Sequence, residues 1–300
     1  MNSALTRQPT DSVHSTRSVG NVRGGFLEFE IGLPDTLRFQ DAEKYAAYLK
    51  TPAGRLRSEL AWENMRRFLP RDASKHRAFD VGGGTGFASV RLARMGYQVV
   101  LLDSSEQMLR IARQDAGACR VTPRISFCHA ETRQLRELFA AESFDLAVCH
   151  NLLEYSEDPS TTVRDIAHVL RKDGVFSLLV RNRAGEVLKD AVKSGGWKLA
   201  TANLTAETVV DTLYGHRTRV FAPADLHELL AQAGLEIVAE HGVRVFCDYV
   251  DLENLADTAY SQIFELESAL GARPEFFAIA RYIQVIGRRS RTSSGKVTGR

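Results

Sequence analysis

Residues Phe79 to Phe87 read F-D-V-G-G-G-T-G-F, and the way this run folds decides the rest. A short β-rich segment, Ala78–Val81, leads into it, and a helical pattern, Phe87–Met95, leads out. Between them, glycines let the backbone turn tightly and let a ligand approach where any Cβ would collide. The next β-rich run, Gln98–Leu102, is followed by Asp103, 21 positions after Gly82. At the carboxyl ends of neighbouring parallel strands, such a loop and such a carboxylate border one crevice. The carboxylate can accept hydrogen bonds from both hydroxyls of a ribose. Asp103, Ser104 and Ser105 are equally able to cap the helix that follows.

The same rhythm extends downstream. Strand-like runs at Ile125–Cys128, Leu146–Cys149 and Val175–Val180 alternate with helical stretches near Ser105–Asp115, Arg133–Phe139 and Thr161–Leu170. Alternation of this kind implies βαβ units and a mostly parallel sheet covered on both faces, an α/β fold. Upstream, Lys44–Leu49 and Arg55–Phe68 read as helices separated by a break at Pro52 and Gly54. After Arg183 the rhythm stops. Residues Arg183–Phe221 hold four glycines and no long apolar period, which reads as a small cap inserted over the sheet. A helix at Pro223–Ala233, a strand at Glu236–Phe246, a helix at Asp251–Leu270 and a strand at Phe276–Ile286 complete the pattern. Two late strands joined by a helical excursion imply an antiparallel finish to the sheet.

The 300 residues thus read as one domain over 41–287, with the cap at about 183–222. Residues 1–25, rich in Ser, Thr, Arg and Gly, read as a flexible arm, and 288–300 as a flexible basic tail. Lys and Arg number 39 against 37 Asp and Glu, so no global field drives the chain onto nucleic acid or membrane. The longest apolar runs are too short to span a bilayer, and no secretory signal opens the sequence. Four cysteines without a C-x-x-C pair imply neither a disulfide framework nor a metal site, and point to a reducing cytoplasm. Nothing in the sequence fixes an oligomeric state.

Two features of the loop bear on its ligand. In a dinucleotide fingerprint, G-x-G-x-x-G ends on a small residue, but counting from Gly82 the sixth place is Phe87. Asp80 adds negative charge that repels a pyrophosphate and attracts a cationic amino acid. Both features favour S-adenosylmethionine over a nicotinamide dinucleotide. The motif D-V-G-G-G-T-G resembles motif I of the class I S-adenosylmethionine-dependent methyltransferases, and the resemblance runs over Ala78–Val180. It implies a Rossmann-like sheet and that cofactor, held by Asp80, Gly82, Gly84, Gly86, Asp103 and Ser104. Met108 then packs on the adenine, Ala130 and Glu131 lie at its edge, and His150, in C-H-N-L-L-E-Y, closes under the methionine portion. Ordinary core packing for Met108, a first-turn helix acid for Glu131 and a strand-capping core histidine for His150 are the alternative readings.

Peripheral runs are similar to a narrower group, the bacterial tRNA 5-carboxymethoxyuridine methyltransferases, which esterify the carboxylate of a modified wobble uridine. These runs are T-P-A-G-R-L-R (Thr51–Arg57), L-L-E-Y-S-E-D-P (Leu152–Pro159), G-V-R-V-F-C-D-Y (Gly242–Tyr249) and R-Y-I-Q-V (Arg281–Val285). The resemblance implies that Arg57 holds the cofactor's carboxylate. Three departures stand out: Cys247 where that group has His, Arg181-Asn182 where it has Tyr-Asn, and a cap without its dense lysine run. Residues 196–221 hold only Lys198, Arg217 and Arg219 against Glu207 and Asp211.

The acceptor is therefore expected to be either that tRNA or an anionic small molecule. A carboxylate acceptor is ionised at neutral pH and needs no base. Arg181, Arg244 and Arg281, near strand ends, are candidates to hold it, Arg244 and His150 being the expected catalytic pair. Tyr155, Asn182, Asp248 and Tyr249 are expected to shape the pocket, with Glu154 and His216 as further base candidates. A small-molecule O- or N-methyltransferase and a cofactor-binding protein without turnover are the competing functions.

Overall fold

The computed structural model describes residues 29–30, 42–193, 196–210, 213–252 and 257–291. The expected arm, residues 1–25, and residues 292–300 of the expected tail lie outside them. The strands are β1 (Phe29–Glu30), β2 (Arg77–Val81), β3 (Gln98–Asp103), β4 (Ile125–His129), β5 (Phe144–His150) and β6 (Leu170–Arg181). They continue with β7 (Thr208–Val210), β8 (Arg217–Arg219), β9 (Leu235–Val243) and β10 (Tyr282–Arg289). The helices are α1 (Ala42–Lys50), α2 (Pro52–Arg66), α3 (Phe87–Arg94), α4 (Glu106–Ala118), α5 (Leu135–Leu138) and α6 (Pro159–Val169). After these come α7 (Arg183–Lys193), α8 (Trp197–Asn203), α9 (Pro223–Gln232), α10 (Asp257–Gly271) and α11 (Pro274–Phe277).

The main sheet has the order β1-β4-β3-β2-β5-β6-β10-β9. Every pair from β1 to β6 is parallel, and β10 runs antiparallel to both β6 and β9. From β2 the chain winds one way to β3 and β4, then crosses to β5 and β6 on the other side. The crevice for a ligand opens above the carboxyl ends at that switch point. The core fills both faces of the sheet. Phe79, Val81, Phe144, Phe176 and Ile166 pack on one side, and Leu92, Leu101, Leu109, Val148 and Tyr97 on the other. Each such side chain contributes about 1.5–3 kcal/mol by leaving water.

Helix α2 shows why its segment folds as it does. Thr51 Oγ1 accepts from Gly54 N at 3.1 Å and Pro52 occupies the first turn, so the helix starts there. Pro52 opens the helix and Gly54 lies inside it, so the expected break falls at Thr51. Leu56, Arg57, Leu60, Ala61 and Asn64 form its buried stripe, which places one arginine on the face turned to the sheet.

Other differences have local causes. The strand expected from Phe276 starts at Tyr282, because Pro274 initiates α11 and carries Phe276 into it. The strand expected to reach Phe246 stops at Val243, because Arg244 adopts φ of 63°. Arg288 and Arg289, expected in the tail, pair in β10 with Val175 and Leu235. The helix expected at Arg133–Phe139 reduces to a 3₁₀ turn, Thr132–Gln134, and the short α5.

The segment 183–221 contains α7, α8 and the β7–β8 hairpin. Its two ends are tied together: Arg183 N donates to Phe221 O at 2.9 Å and Phe221 N to Arg181 O at 3.0 Å. Helix α7 escapes a search for apolar periodicity because its buried stripe is Gly185, Glu186 and Asp190.

Candidate active site

At the switch point lies a cavity of about 1250 Å³, bordered by the glycine loop, the end of β3, the turns after β4 and β5, helix α2 and the cap. Gly82 and Gly84 have φ of 65° and 55°, a region that L side chains avoid. A Cβ on Gly82 would also come within 2.7 Å of Leu152 Cδ1. Asp103 is 8% exposed at the cavity wall. Its Oδ2 accepts from Gly84 N at 2.8 Å and its Oδ1 from Ser105 N at 2.9 Å. Each oxygen retains a lone pair for a hydroxyl donor. The N-cap of α4 is Ser105, whose Oγ accepts from Met108 N, so Asp103 is not needed for that task. Ser104, Met108, Ala130 and Glu131 border the same lobe.

Arg57 also borders the cavity, 6% exposed. Its Nη2 donates to Tyr45 Oη at 2.9 Å, and its guanidinium lies 5.7, 5.0 and 5.6 Å from the ring centroids of Tyr45, Tyr48 and Tyr282. Burial works against its charge, but the three tyrosines outweigh burial and keep it protonated. It makes no ion pair among the described residues, so its charge remains for a ligand.

Three more arginines border the cavity, together with acidic partners. Arg181 from the end of β6, Arg281 before β10 and Arg244 after β9 all border it, together with the Tyr282 ring. Glu186 of α7 bridges two of them, 2.9 Å from Arg181 and in contact with Arg281, and it takes Lys189 at 2.9 Å. Burial alone would raise the Glu186 carboxyl, but Arg281, Arg181 and Lys189 hold it down at about 2. Arg244 pairs with Asp248 and donates to Tyr48 Oη at 2.8 Å. The loop that carries Arg244 is pinned by Glu267 of α10, which accepts from the amides of Val245, Phe246 and Cys247. Buried Nε donors of Arg244 and Arg281 have no acceptor among the described residues.

Of the expected site residues, Gly86, Asn182, Tyr249 and Asp80 stand apart from the large cavity, as does the base candidate His216. Gly86, φ 82°, serves packing: a Cβ there would lie 3.1 Å from Ala112 on α4. Asn182 is fully buried and donates to the carbonyls of Ala278 and Ala280, tying β6 to the segment before β10. Tyr249 does not border the cavity. Asp80 borders only a small adjoining cleft, where its Oδ2 accepts from Ser89 N and Oγ at 3.1 and 2.7 Å. It thus caps α3 from the strand below.

Tyr155, Arg181, Asp248 and Arg281 do border the cavity, as does His150. His150 is unsuited to act as a base, because burial and then Arg57 push its imidazole down to about 3. Glu154 is 5% exposed in the wall, and burial raises its carboxyl. His216 is exposed on the cap and does not line the cavity. Sequence reasoning missed Tyr45, Tyr48, Tyr282, Glu186 and Glu267. The run R-Y-I-Q-V contained Tyr282, inside the strand expected from Phe276, but its spacing says nothing of the arginines around it.

Among the described residues, no group of three His, Cys, Asp or Glu side chains is placed to hold a metal ion. No described helix is long and apolar enough to cross a membrane.

Comparison with known proteins bears on the family and the fold. Residues 79–178 match the methyltransferase domain family. The chain is 31% identical over 250 residues to the tRNA 5-carboxymethoxyuridine methyltransferase of Escherichia coli, covering 83% of this chain and 94% of that protein. It is 29% identical over 187 residues to the ubiquinone biosynthesis O-methyltransferase of Neisseria meningitidis, covering 57% and 68%. Its fold is similar to that of the Burkholderia thailandensis 1,6-didemethyltoxoflavin-N1-methyltransferase solved with S-adenosylhomocysteine. That likeness has a TM-score of 0.54 at 17% identity and covers 88% of this chain and 94% of that one. The glycine loop with a carboxylate at the next strand end, the lone guanidinium of Arg57 and a cavity spanning both fit a nucleoside joined to an amino acid. On the fold, the domain match and the long relative together, this chain belongs to the class I S-adenosylmethionine-dependent methyltransferases.

Proposed function

We propose that the protein methylates a carboxylate oxygen, and that its acceptor is the 5-carboxymethoxyuridine of a tRNA anticodon. The observation that carries this reading is the convergence of Arg181, Arg244 and Arg281 around Tyr282 in the cofactor cavity. The relative in Escherichia coli supports the tRNA. When bound, the cofactor supplies an activated sulfonium methyl. Asp103 would accept hydrogen bonds from the ribose hydroxyls, Arg57 would hold the cofactor's carboxylate, and Met108 and Ala130 would lie at the adenine. Arg244 and Arg281 orient the acceptor carboxylate, which attacks as the anion it already is. Positioning and exclusion of water do the work, and no residue need take up a proton.

The competing reading is a small-molecule acceptor. It draws on the nearly balanced charge of residues 196–221, with Lys198, Arg217 and Arg219 against Glu207 and Asp211, which offers little to a phosphate backbone. Purified protein, methyl-labelled cofactor and tRNA carrying the carboxymethoxy group separate the two. Mass spectrometry of the digested nucleosides should show the labelled methyl ester, formed at a rate flat from neutral pH towards the carboxylate pKa. Transfer to no tRNA nucleoside, with transfer to an amine that shows an acidic limb near neutrality, would overturn the proposal.

A further inference from the structure

A chain of buried polar groups runs from helix α2 to the wall of the cavity. Gln284 on β10 and Ser177 on β6 are fully buried, and Asn64 on α2 is 4% exposed. The Gln284 Nε2 group donates to the Ala61 carbonyl at 2.8 Å and to Ser177 Oγ at 3.1 Å. Its Oε1 accepts from Asn64 Nδ2 at 3.0 Å. Ser177 Oγ in turn lies 2.8 Å from His150 Nε2.

This chain has one consistent proton arrangement. A backbone carbonyl only accepts, so Ala61 O fixes which end of the Gln284 amide faces it. The two amide protons then go to Ala61 and Ser177. Ser177 has one proton of its own, and since no other acceptor for it is found among the described residues, satisfying that buried donor directs it to His150 Nε2. In a neutral imidazole, a nitrogen that accepts leaves the ring proton on the other nitrogen. Burial and Arg57 keep the ring neutral at any working pH. No partner for Nδ1 is found among the described residues, and the ring borders the cavity together with Arg57.

We propose that Gln284 and Ser177 are positioning residues that hold His150 as its Nδ1–H tautomer, making it a fixed hydrogen-bond donor to a ligand carboxylate beside Arg57. The proton arrangement stands independently of the acceptor. Only the ligand's identity as a carboxylate rests on the reading of the site as a methyl-transfer centre. His150 is then neither base nor acid in the reaction. A neutral N–H beside a guanidinium adds a directional bond without another charge, which suits a site already rich in arginine.

Long-range proton–nitrogen NMR of the imidazoles in the protein without ligand reads the tautomer directly. The His150 signal should show a protonated Nδ1 and a bare Nε2, unchanged between pH 6 and 8. Ser177→Ala and Gln284→Leu should each lose the single-tautomer signature, and the wild-type spectrum alone decides the case if either fails to fold. A protonated Nε2 in the wild type, or an unaltered Nδ1–H signature in Ser177→Ala, overturns the positioning role.

Ligand binding tests the donor. His150→Leu should weaken either S-adenosylhomocysteine affinity or acceptor KM by roughly tenfold or more, as for a lost bond to a charged acceptor. His150→Asn, whose side-chain amide falls near Nδ1, should restore most of it. A calorimetric loss of S-adenosylhomocysteine binding assigns the carboxylate to the cofactor. Intact binding with raised KM assigns it to the acceptor. No change in either overturns the donor role, whatever the acceptor proves to be.

Discussion

Tyr282 lies directly opposite Arg181 in the antiparallel pairing of β10 with β6, and on its other side it pairs with Val243, the residue before Arg244. One ladder position therefore brings a phenol between two arginines, and Arg281 precedes it in sequence. The guanidiniums of Arg57, Arg244 and Arg281 lie 5.6, 5.6 and 5.9 Å from its ring centroid. Strand register sets Tyr282 against Arg181, while Arg244 comes from the loop after β9 and Arg57 from α2.

Its phenol should titrate early. Burial raises the Tyr282 hydroxyl, but Arg181, Arg244, Arg57 and Arg281 together overcome burial and bring it to about 8. Above that pH a phenolate adds negative charge among the arginines and competes with an anionic acceptor. Acceptor KM should rise as pH passes through about 8, and Tyr282→Phe should flatten that rise. Tyrosinate absorbance should show the same midpoint, shifted upward when an anionic ligand is bound. A KM that does not change between pH 7 and 9 in the wild type would contradict the assignment.

Cofactor binding should depend on both Asp103 and Arg57. Asp103→Ala should weaken S-adenosylhomocysteine binding by roughly 1.5–3 kcal/mol, the range for bonds to a charged acceptor. Arg57→Ala should lower affinity, and Arg57→Lys should not restore it, because an ammonium cannot reproduce a two-pronged fork. Calorimetry on the three variants checks both statements. Undiminished affinity in Asp103→Ala would remove the ribose role.

Asp80 should leave a signature in stability. Burial lifts its carboxyl from 3.8 to about 6, against the lowering effect of the Ser89 bonds. The folded state thus holds this proton more tightly than the unfolded chain does. The stability it confers is present below about pH 4 and is lost as pH rises to about 6. Asp80→Asn keeps an oxygen for Ser89 and cannot titrate. The unfolding free energy of the wild type relative to that variant should fall by on the order of 3 kcal/mol between pH 4 and 7. Denaturant melts at the two pH values measure this, and a constant difference would count against it.

The βα core was readable because its signals are local. A glycine at φ of 65°, a strand running into it and an acid ending the next strand are constraints within about 25 residues of chain, set by sterics and hydrogen bonding. The antiparallel strand late in the chain followed from the same kind of pattern. Where a local rule failed, another local feature overrode it. Pro274 started a helix where a strand was expected, and Arg244 left the extended region.

The sequence by itself determined the α/β fold and the glycine loop with Asp103 as its acidic partner, and it offered Arg57, by resemblance, and Arg181, Arg244 and Arg281, near strand ends, as candidates to hold an anion. Only the tertiary structure decided what those arginines do. They come from α2, the end of β6, the loop after β9 and the residue before β10, and Arg57 is more than 200 positions from Arg281. Sheet register and helix packing set which of them meet, and no spacing encodes it. Helix α7 turns Glu186 and Asp190 inward against arginine, lysine and Asn203, which no apolar period in its sequence announces. Gln284 reads as an ordinary strand residue until Ala61 and Ser177 fix its amide. A buried polar group is defined by its partners, and partners distant in sequence are supplied only by the fold.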